Sequence, residues 1–173
     1  MKLDKEEVLA YLPHRDPFLF IDSVEDVQVP EALQAKMKEG EEITSRDLVG
    51  TKVIANYAIK EDMYILKGHF PGNPILPGVL QVEMMAQAGA FVSIVLDLKN
   101  RNDLEVETIL LAVDKSKFRK PLGPGMNLTI HTKMTKCRGN IATYECIILD
   151  DEGDKASEAT FMAKLDVKKK EVK

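Results

Sequence analysis

The chain has 173 residues, with 24 Lys+Arg against 28 Asp+Glu, a net charge of −4 and a pI near 5.5. Hydrophobic residues at 45% and charged residues at 30% are globular proportions and exclude a disordered or fibrous chain. This length fits one compact domain over 1–173 better than two.

The N-terminus (LDKEEVLAYL) is acidic and helix-like, without the basic and apolar regions of a secretory signal. A helix over Lys5–Tyr11 is expected to stop at Leu12-Pro13, because a residue before proline is pushed out of helical geometry. Phe18–Val24 reads as a buried strand. The polar stretch 30–48 reads as a surface insertion with a helix in its first half. Lys52–Ile59 alternates as a strand does.

Gly68–Gly78 then packs three prolines and three glycines into an irregular loop of low entropy cost. A helix follows over Val79–Leu98, apolar on nearly every face. A bilayer span needs about 20 mostly apolar residues, but Gln81, Glu83, Gln87 and Ser93 interrupt this one, so it reads as a core helix with no role in a membrane. Ile109–Val113 is a short apolar strand. Residues 127–135 and 141–149 form a hairpin turned at Arg138-Gly139-Asn140, and a last strand runs through Leu165 to a frayed tail at 168–173. One all-apolar helix among strands implies a sheet wrapped around it. The fold class is therefore α+β, a long central helix in a curved antiparallel sheet.

Cys137 and Cys146 fall too far apart along that hairpin for a disulfide, and read as thiols of a reducing, cytoplasmic compartment. With three histidines and no paired ligand spacing, no metal site is expected. Seven basic residues and no acidic one lie between Lys115 and Arg138, leaving −11 on the rest of the chain. Such a block is either solvated or a docking face for an acidic partner. Its single aromatic is Phe118, and the whole chain is acidic, so nucleic acid is a poor partner.

Chemistry concentrates at the start of the long helix. Glu83 lies one turn in, where burial is expected to raise its pKa, and Gln87 at i+4 can hold its carboxyl. His69 sits on the rigid loop, and Gly78 offers a free N–H at the positive end of the helix. Base, acid and oxyanion donor are the groups that remove a proton beside a carbonyl and expel a hydroxyl. His14 reads as structural and His131 as solvent-exposed. Each residue alone has a plain structural reading too.

Gly68-His69-Phe70-Pro71-Gly72-x-Pro74-Ile75-x-Pro77-Gly78-Val79-Leu80-x-x-Glu83-x-Met85-Ala86-Gln87 resembles the signature of the β-hydroxyacyl-acyl-carrier-protein dehydratase family. Leu12-Pro13-His14-Arg15-x-Pro17-Phe18-Leu19 with Asp22, and Asp114-Lys115 through Phe118, Pro121 and Pro124-Gly125, match its other two motifs in order. The resemblance covers residues 6–29 and 50–166, and departs at 30–48, which is longer than the family's hairpin.

The resemblance implies a hot-dog fold and homodimers, commonly trimers of dimers, with His69 and Glu83 meeting across subunits. It implies that the Gly78 N–H polarises the thioester carbonyl and that the Ile75 carbonyl orients the His69 ring. It also implies dehydration of a (3R)-hydroxyacyl chain on phosphopantetheine to the trans-2-enoyl thioester in fatty acid synthesis, without a cofactor. The partner is acyl carrier protein, for which Lys115, Lys117, Arg119, Lys120, Lys136 and Arg138 become docking candidates. The competing readings are a hot-dog thioesterase, a non-catalytic carrier-binding module, and a sister dehydratase that also isomerises the double bond. Glu83 argues against the last, which carries Asp there.

Overall fold

The computed structural model describes residues 1–97 and 104–169. In chain order the elements are α1 (Lys5–Tyr11), β1 (Ser23–Gln28), α2 (Glu31–Glu39), β2 (Lys52–Ala58), α3 (Gly78–Ala90), β3 (Leu104–Phe118), β4 (Asn127–Arg138), β5 (Ile141–Leu149) and β6 (Lys155–Lys169). The six strands make one antiparallel sheet in the order β1-β2-β4-β5-β6-β3.

The sheet curls around α3 because α3 has almost no polar face to leave in water. Ten of its thirteen residues are buried, and it packs against β2, β3, β4, β5 and β6. Met84, Met85, Phe91, Tyr144 and Phe161 are fully buried in one contiguous core. The stretch Gly78–Leu96 has the length and hydropathy of a membrane span, yet 78% of it is buried inside this domain. Gly89 is where helix and sheet come closest: a Cβ there would lie 3.3 Å from the Phe161 ring and 3.5 Å from Tyr144.

Several elements differ from the sequence expectation. α3 is α-helical only to Ala90 and then tightens into a 3-10 helix over Phe91–Asp97; Leu98 lies outside the described residues. The strand expected over Phe18–Val24 begins only at Ser23. The strand expected over Ile109–Val113 is the fifteen-residue β3, because its charged flanks pair along β6 and hide its length from a hydrophobicity reading. Lys168 and Lys169 belong to β6, paired with Glu105 and Leu104; the rest of the expected tail, 170–173, lies outside the described residues.

The insertion at 30–48 is more than a surface excursion. Leu33 and Leu48 are buried in the common core, and Lys36 Nζ meets Asp47 Oδ1 at 2.8 Å. Gly50 N–H donates to the Met134 carbonyl at 2.8 Å, tying the return of the loop to β4.

Gly89→Val drives a branched side chain into Phe161 and Tyr144 and is expected to destabilise the fold by about 1–3 kcal/mol. Urea unfolding of the variant beside wild type measures this, and an unchanged midpoint would contradict the packing described.

Candidate active site

The loop before α3 is closed on itself. Phe70 N–H donates to the Asn73 carbonyl at 3.1 Å, Asn73 N–H to Phe70 at 2.9 Å, and Ile75 N–H to His69 at 2.8 Å. Gly72, at φ 78°, takes the left-handed turn this closure requires. The loop is also fixed from outside, since Leu76 N–H donates to the Leu122 carbonyl at 2.7 Å.

This closure fixes the tautomer of His69. Its Nδ1 lies 2.8 Å from the Ile75 carbonyl oxygen, which can only accept, so Nδ1 carries the hydrogen. Nε2 is left with a lone pair, as a base needs. The ring stacks on Phe70 at 4.1 Å, and both side chains remain accessible.

Pro77 precedes α3, and Gly78 is its first residue. Among the described residues the Gly78 N–H has no hydrogen-bond acceptor, as expected of a first-turn amide. The absent side chain matters, because the Phe118 ring of β3 lies over Gly78 and a Cβ there would meet it at 2.8 Å.

Glu83 stands one turn further and is half-buried. Gln87 Nε2 donates to its Oε1 at 2.9 Å and also to the Phe18 carbonyl at 3.0 Å, while Gln87 Oε1 accepts from Phe20 N–H at 2.8 Å. The Phe20 donor settles which way the Gln87 amide faces. A second group reaches Glu83 that the sequence reading set aside: His14 Nε2 lies 3.4 Å from the same Oε1. The His14 contact holds the Glu83 carboxyl below the ordinary carboxylate range, burial pushes the other way, and Gln87 adds to the lowering. The expected upward shift is thus reversed, because two donors outweigh partial burial.

Within the protomer no contact joins His69 to Glu83 among the described residues. Exposed apolar side chains occur nearby: Phe70 stacks on His69, Phe118 lies over Gly78, and Phe18 is held to α3 through Gln87.

The basic block divides when folded. Arg119 is paired with Glu158 at 2.6 Å, and Lys120 Nζ sits among Asp150 at 2.8 Å, Asp154 at 2.6 Å and Glu152 at 3.6 Å. Those three carboxylates are the one acidic group with metal-binding spacing among the described residues, and a lysine ammonium already lies in it. Lys136 and Arg138 stand toward the β4–β5 turn, opposite Thr143 and Ile141.

Lys115 and Lys117 line a groove of about 560 Å³ on the outer face of the sheet, where Lys117 Nζ also lies 3.9 Å from Glu158. Strand register places Lys52, Lys133, Glu145, Thr160 and Lys115 in one row across it, and Ile54, His131, Ile147, Glu158 and Lys117 in the next. Lys52 directly faces Lys133, a like-charge pair that a sheet does not favour. His131, expected in solvent, is half-buried on the floor of this groove, and its burial lowers its pKa. The sequence block missed Lys52, because nothing in chain order places it beside Lys133.

Residues 12–159 match the FabA-like domain family. The chain is 37% identical over 164 residues to a Brucella ovis protein named 3-hydroxyacyl-[acyl-carrier-protein] dehydratase FabZ, covering 95% of this chain and 89% of that one. Among solved structures, the dehydratase heterocomplex ApeI:P from Xenorhabdus doucetiae superposes with a TM-score of 0.65 at 19% identity, over 92% of this chain and 90% of that one. A hot-dog-like protein from Thermanaerovibrio acidaminovorans gives 0.55 at 12% identity, over 72% and 88%. The fold is the hot-dog fold.

Gly78→Ala is expected to push Phe118 aside at a cost of about 1–3 kcal/mol. Phe118→Ala vacates the space, so the double variant should lose less stability than the two single losses added together. Strict additivity in a thermal-unfolding cycle would show that the two residues do not meet.

Proposed function

Because the chain belongs to the FabA-like family, we propose that it removes water from a (3R)-hydroxyacyl thioester on acyl carrier protein, giving the trans-2-enoyl thioester for fatty acid biosynthesis. The observation that carries the chemistry is the locked His69 ring, with Nδ1 held by Ile75 and Nε2 open as a base.

His69 Nε2 takes the proton from C2, which the thioester carbonyl acidifies, so no cofactor is needed. Charge gathers on the carbonyl oxygen against the Gly78 N–H, at the positive end of α3. The C3–O bond breaks, and the departing hydroxyl takes a proton from Glu83, directly or through a water. The competent state carries one proton on Glu83 and none on His69. In an open site the His14 and Gln87 contacts favour the carboxylate form of Glu83. Filling the site with acyl chain removes water and favours the neutral pair.

The sheet edge supports a site split between copies of this chain. β3 is an edge strand of fifteen residues, and Ile109, Leu110, Leu111, Val113 and Phe118 are exposed along it. So long an apolar edge calls for a partner strand. Pairing β3 with β3 of a second copy would set His69 of one against Glu83 of the other, and such dimers can assemble as trimers of dimers.

The outer groove is our reading of the carrier's docking face. Lys115 and Lys117 form one rim and Lys52 and Lys133 the other, three strand spacings apart between β4 and β3, roughly 14 Å. That width admits an acidic helix of about 10 Å. Lys117 and Phe118 point to opposite faces of β3, so the groove lies across that strand from the Gly78 end of the site. The thiols, one buried and neither in a disulfide, fit the expected cytoplasmic setting.

Wild type is expected to produce enoyl absorbance in the ultraviolet from a (3R)-hydroxyacyl carrier substrate. His69→Ala and Glu83→Gln should each lose about 10²–10⁴-fold while remaining folded. Release of free acid instead would mean hydrolysis, and carrier binding without turnover would mean a scaffold. Lys52→Glu with Lys133→Glu should raise KM for the carrier substrate and weaken its salt dependence, with kcat for a pantetheine thioester far less affected. Equal KM for the carrier substrate in wild type and variant would place docking elsewhere.

A further inference from the structure

The role of His14 deepens that reading and rests on it. Two donors converge on one oxygen of Glu83: Gln87 Nε2 at 2.9 Å and His14 Nε2 at 3.4 Å both face Oε1. Among the described residues nothing in the protomer donates to Oε2. The opposite side of the imidazole is informative too. His14 Nδ1 is fully buried and has no hydrogen-bond partner among the described residues. An imidazolium would place a charged N–H there with no acceptor, which is expensive, whereas a bare lone pair costs much less. With its hydrogen on Nε2 the ring leaves only a lone pair at Nδ1 and sets a donor nitrogen 3.4 Å from Glu83 Oε1.

We propose that His14 is a positioning residue that, together with Gln87, fixes the Glu83 carboxyl so that its acidic proton resides on Oε2, the oxygen turned to the departing hydroxyl. An oxygen already facing two donors cannot carry a proton of its own without a clash of hydrogens, so protonation falls on the other. In the step itself the Oε2–H and C3–O bonds break and an O–H bond forms on the leaving water. Glu83 is left as a carboxylate facing the same two donors. The proton later returns to Oε2 from solvent as His69 sheds the one it took from C2.

The surroundings support a neutral donor. Arg15 turns its guanidinium to the Leu12 and His14 carbonyls at 2.8 and 2.7 Å, and Asp16 faces Lys60 at 3.6 Å, so neither reaches the pair. From α3 only Gln87 joins, and in the proposed dimer the remaining titratable group is the second copy's base, equivalent to His69. The 3.4 Å approach is loose, and such contacts tighten when substrate fills a site.

Two variants separate this role from a merely structural one. His14→Gln keeps a neutral N–H donor at similar reach, while His14→Leu keeps bulk and removes the donor. With the (3R)-hydroxyacyl carrier substrate, His14→Leu should lower kcat about 10- to 100-fold with little change in KM. His14→Gln should recover most of that loss and retain the wild-type shape of the pH profile. Independently of turnover, carbon-13 titration of the Glu83 carboxyl should stay low in His14→Gln and move up in His14→Leu.

Wild-type kcat in a folded His14→Leu would overturn the proposal, as would His14→Gln as impaired as His14→Leu, which would make charge rather than donation the requirement. An unmoved Glu83 titration in His14→Leu would overturn it as well. If wild type makes no enoyl product at all, the dehydratase reading fails, and the titration still decides what His14 does to Glu83.

Discussion

The structure turns on a single side-chain amide. Gln87 is buried on α3 and has to satisfy a carbonyl and an NH₂ away from water, or lose the cost of burying them. It does so by taking Phe20 N–H on one end and giving to Phe18 and Glu83 on the other. These bonds fasten the irregular run ahead of β1 to the central helix. They also decide which way Glu83 points. Fold and site therefore share one hydrogen-bond network, and the same constraint that seats the N-terminal segment delivers His14 to the carboxyl.

Much of this could be read from the chain. The apolar pattern of 79–96 and the alternation of 127–149 were enough for a helix wrapped by an antiparallel sheet, and the loop from Gly68 to Gly78 announced its rigidity through proline and glycine. Cys137 does stand opposite Ala142, as the hairpin spacing implied. Long-range electrostatics were not legible. The pKa direction at Glu83 depends on His14, sixty-nine residues earlier in the chain, and a local reading sees burial alone. Charge counting failed for a similar reason: Lys120 is spent on the turn after β5, while Lys52, remote in sequence, completes the outer groove. The length of β3 escaped because an edge strand need not alternate cleanly, and its true partner, β6, comes about fifty residues later.

The insertion illustrates how local composition misleads in the other direction. Its charge suggested decoration, yet Leu33 and Leu48 are among the most buried side chains, and the loop closes onto β4 through Gly50. Two apolar anchors in a polar segment outweigh its average hydropathy, since each contributes about 1.5–3 kcal/mol when removed from water. The segment is thus part of the same core that holds α3.

The separation of base and acid within the protomer has its own logic. A neutral imidazole and a carboxyl with a depressed pKa, brought together in water, would exchange a proton and rest as an ion pair, which disarms both. Here each is fixed first by its own shell: His69 by Ile75, Glu83 by Gln87 and His14. Neither shell needs the other residue to hold its geometry, so in the proposed dimer the two would meet already ordered, among the exposed side chains of Phe18, Phe70, Val79 and Phe118. Once acyl chain displaces water there, the charged arrangement loses its solvation, and the neutral arrangement becomes the accessible one. In the proposed reaction, holding the two groups ordered but apart is what would let a lowered carboxyl pKa coexist with acid catalysis.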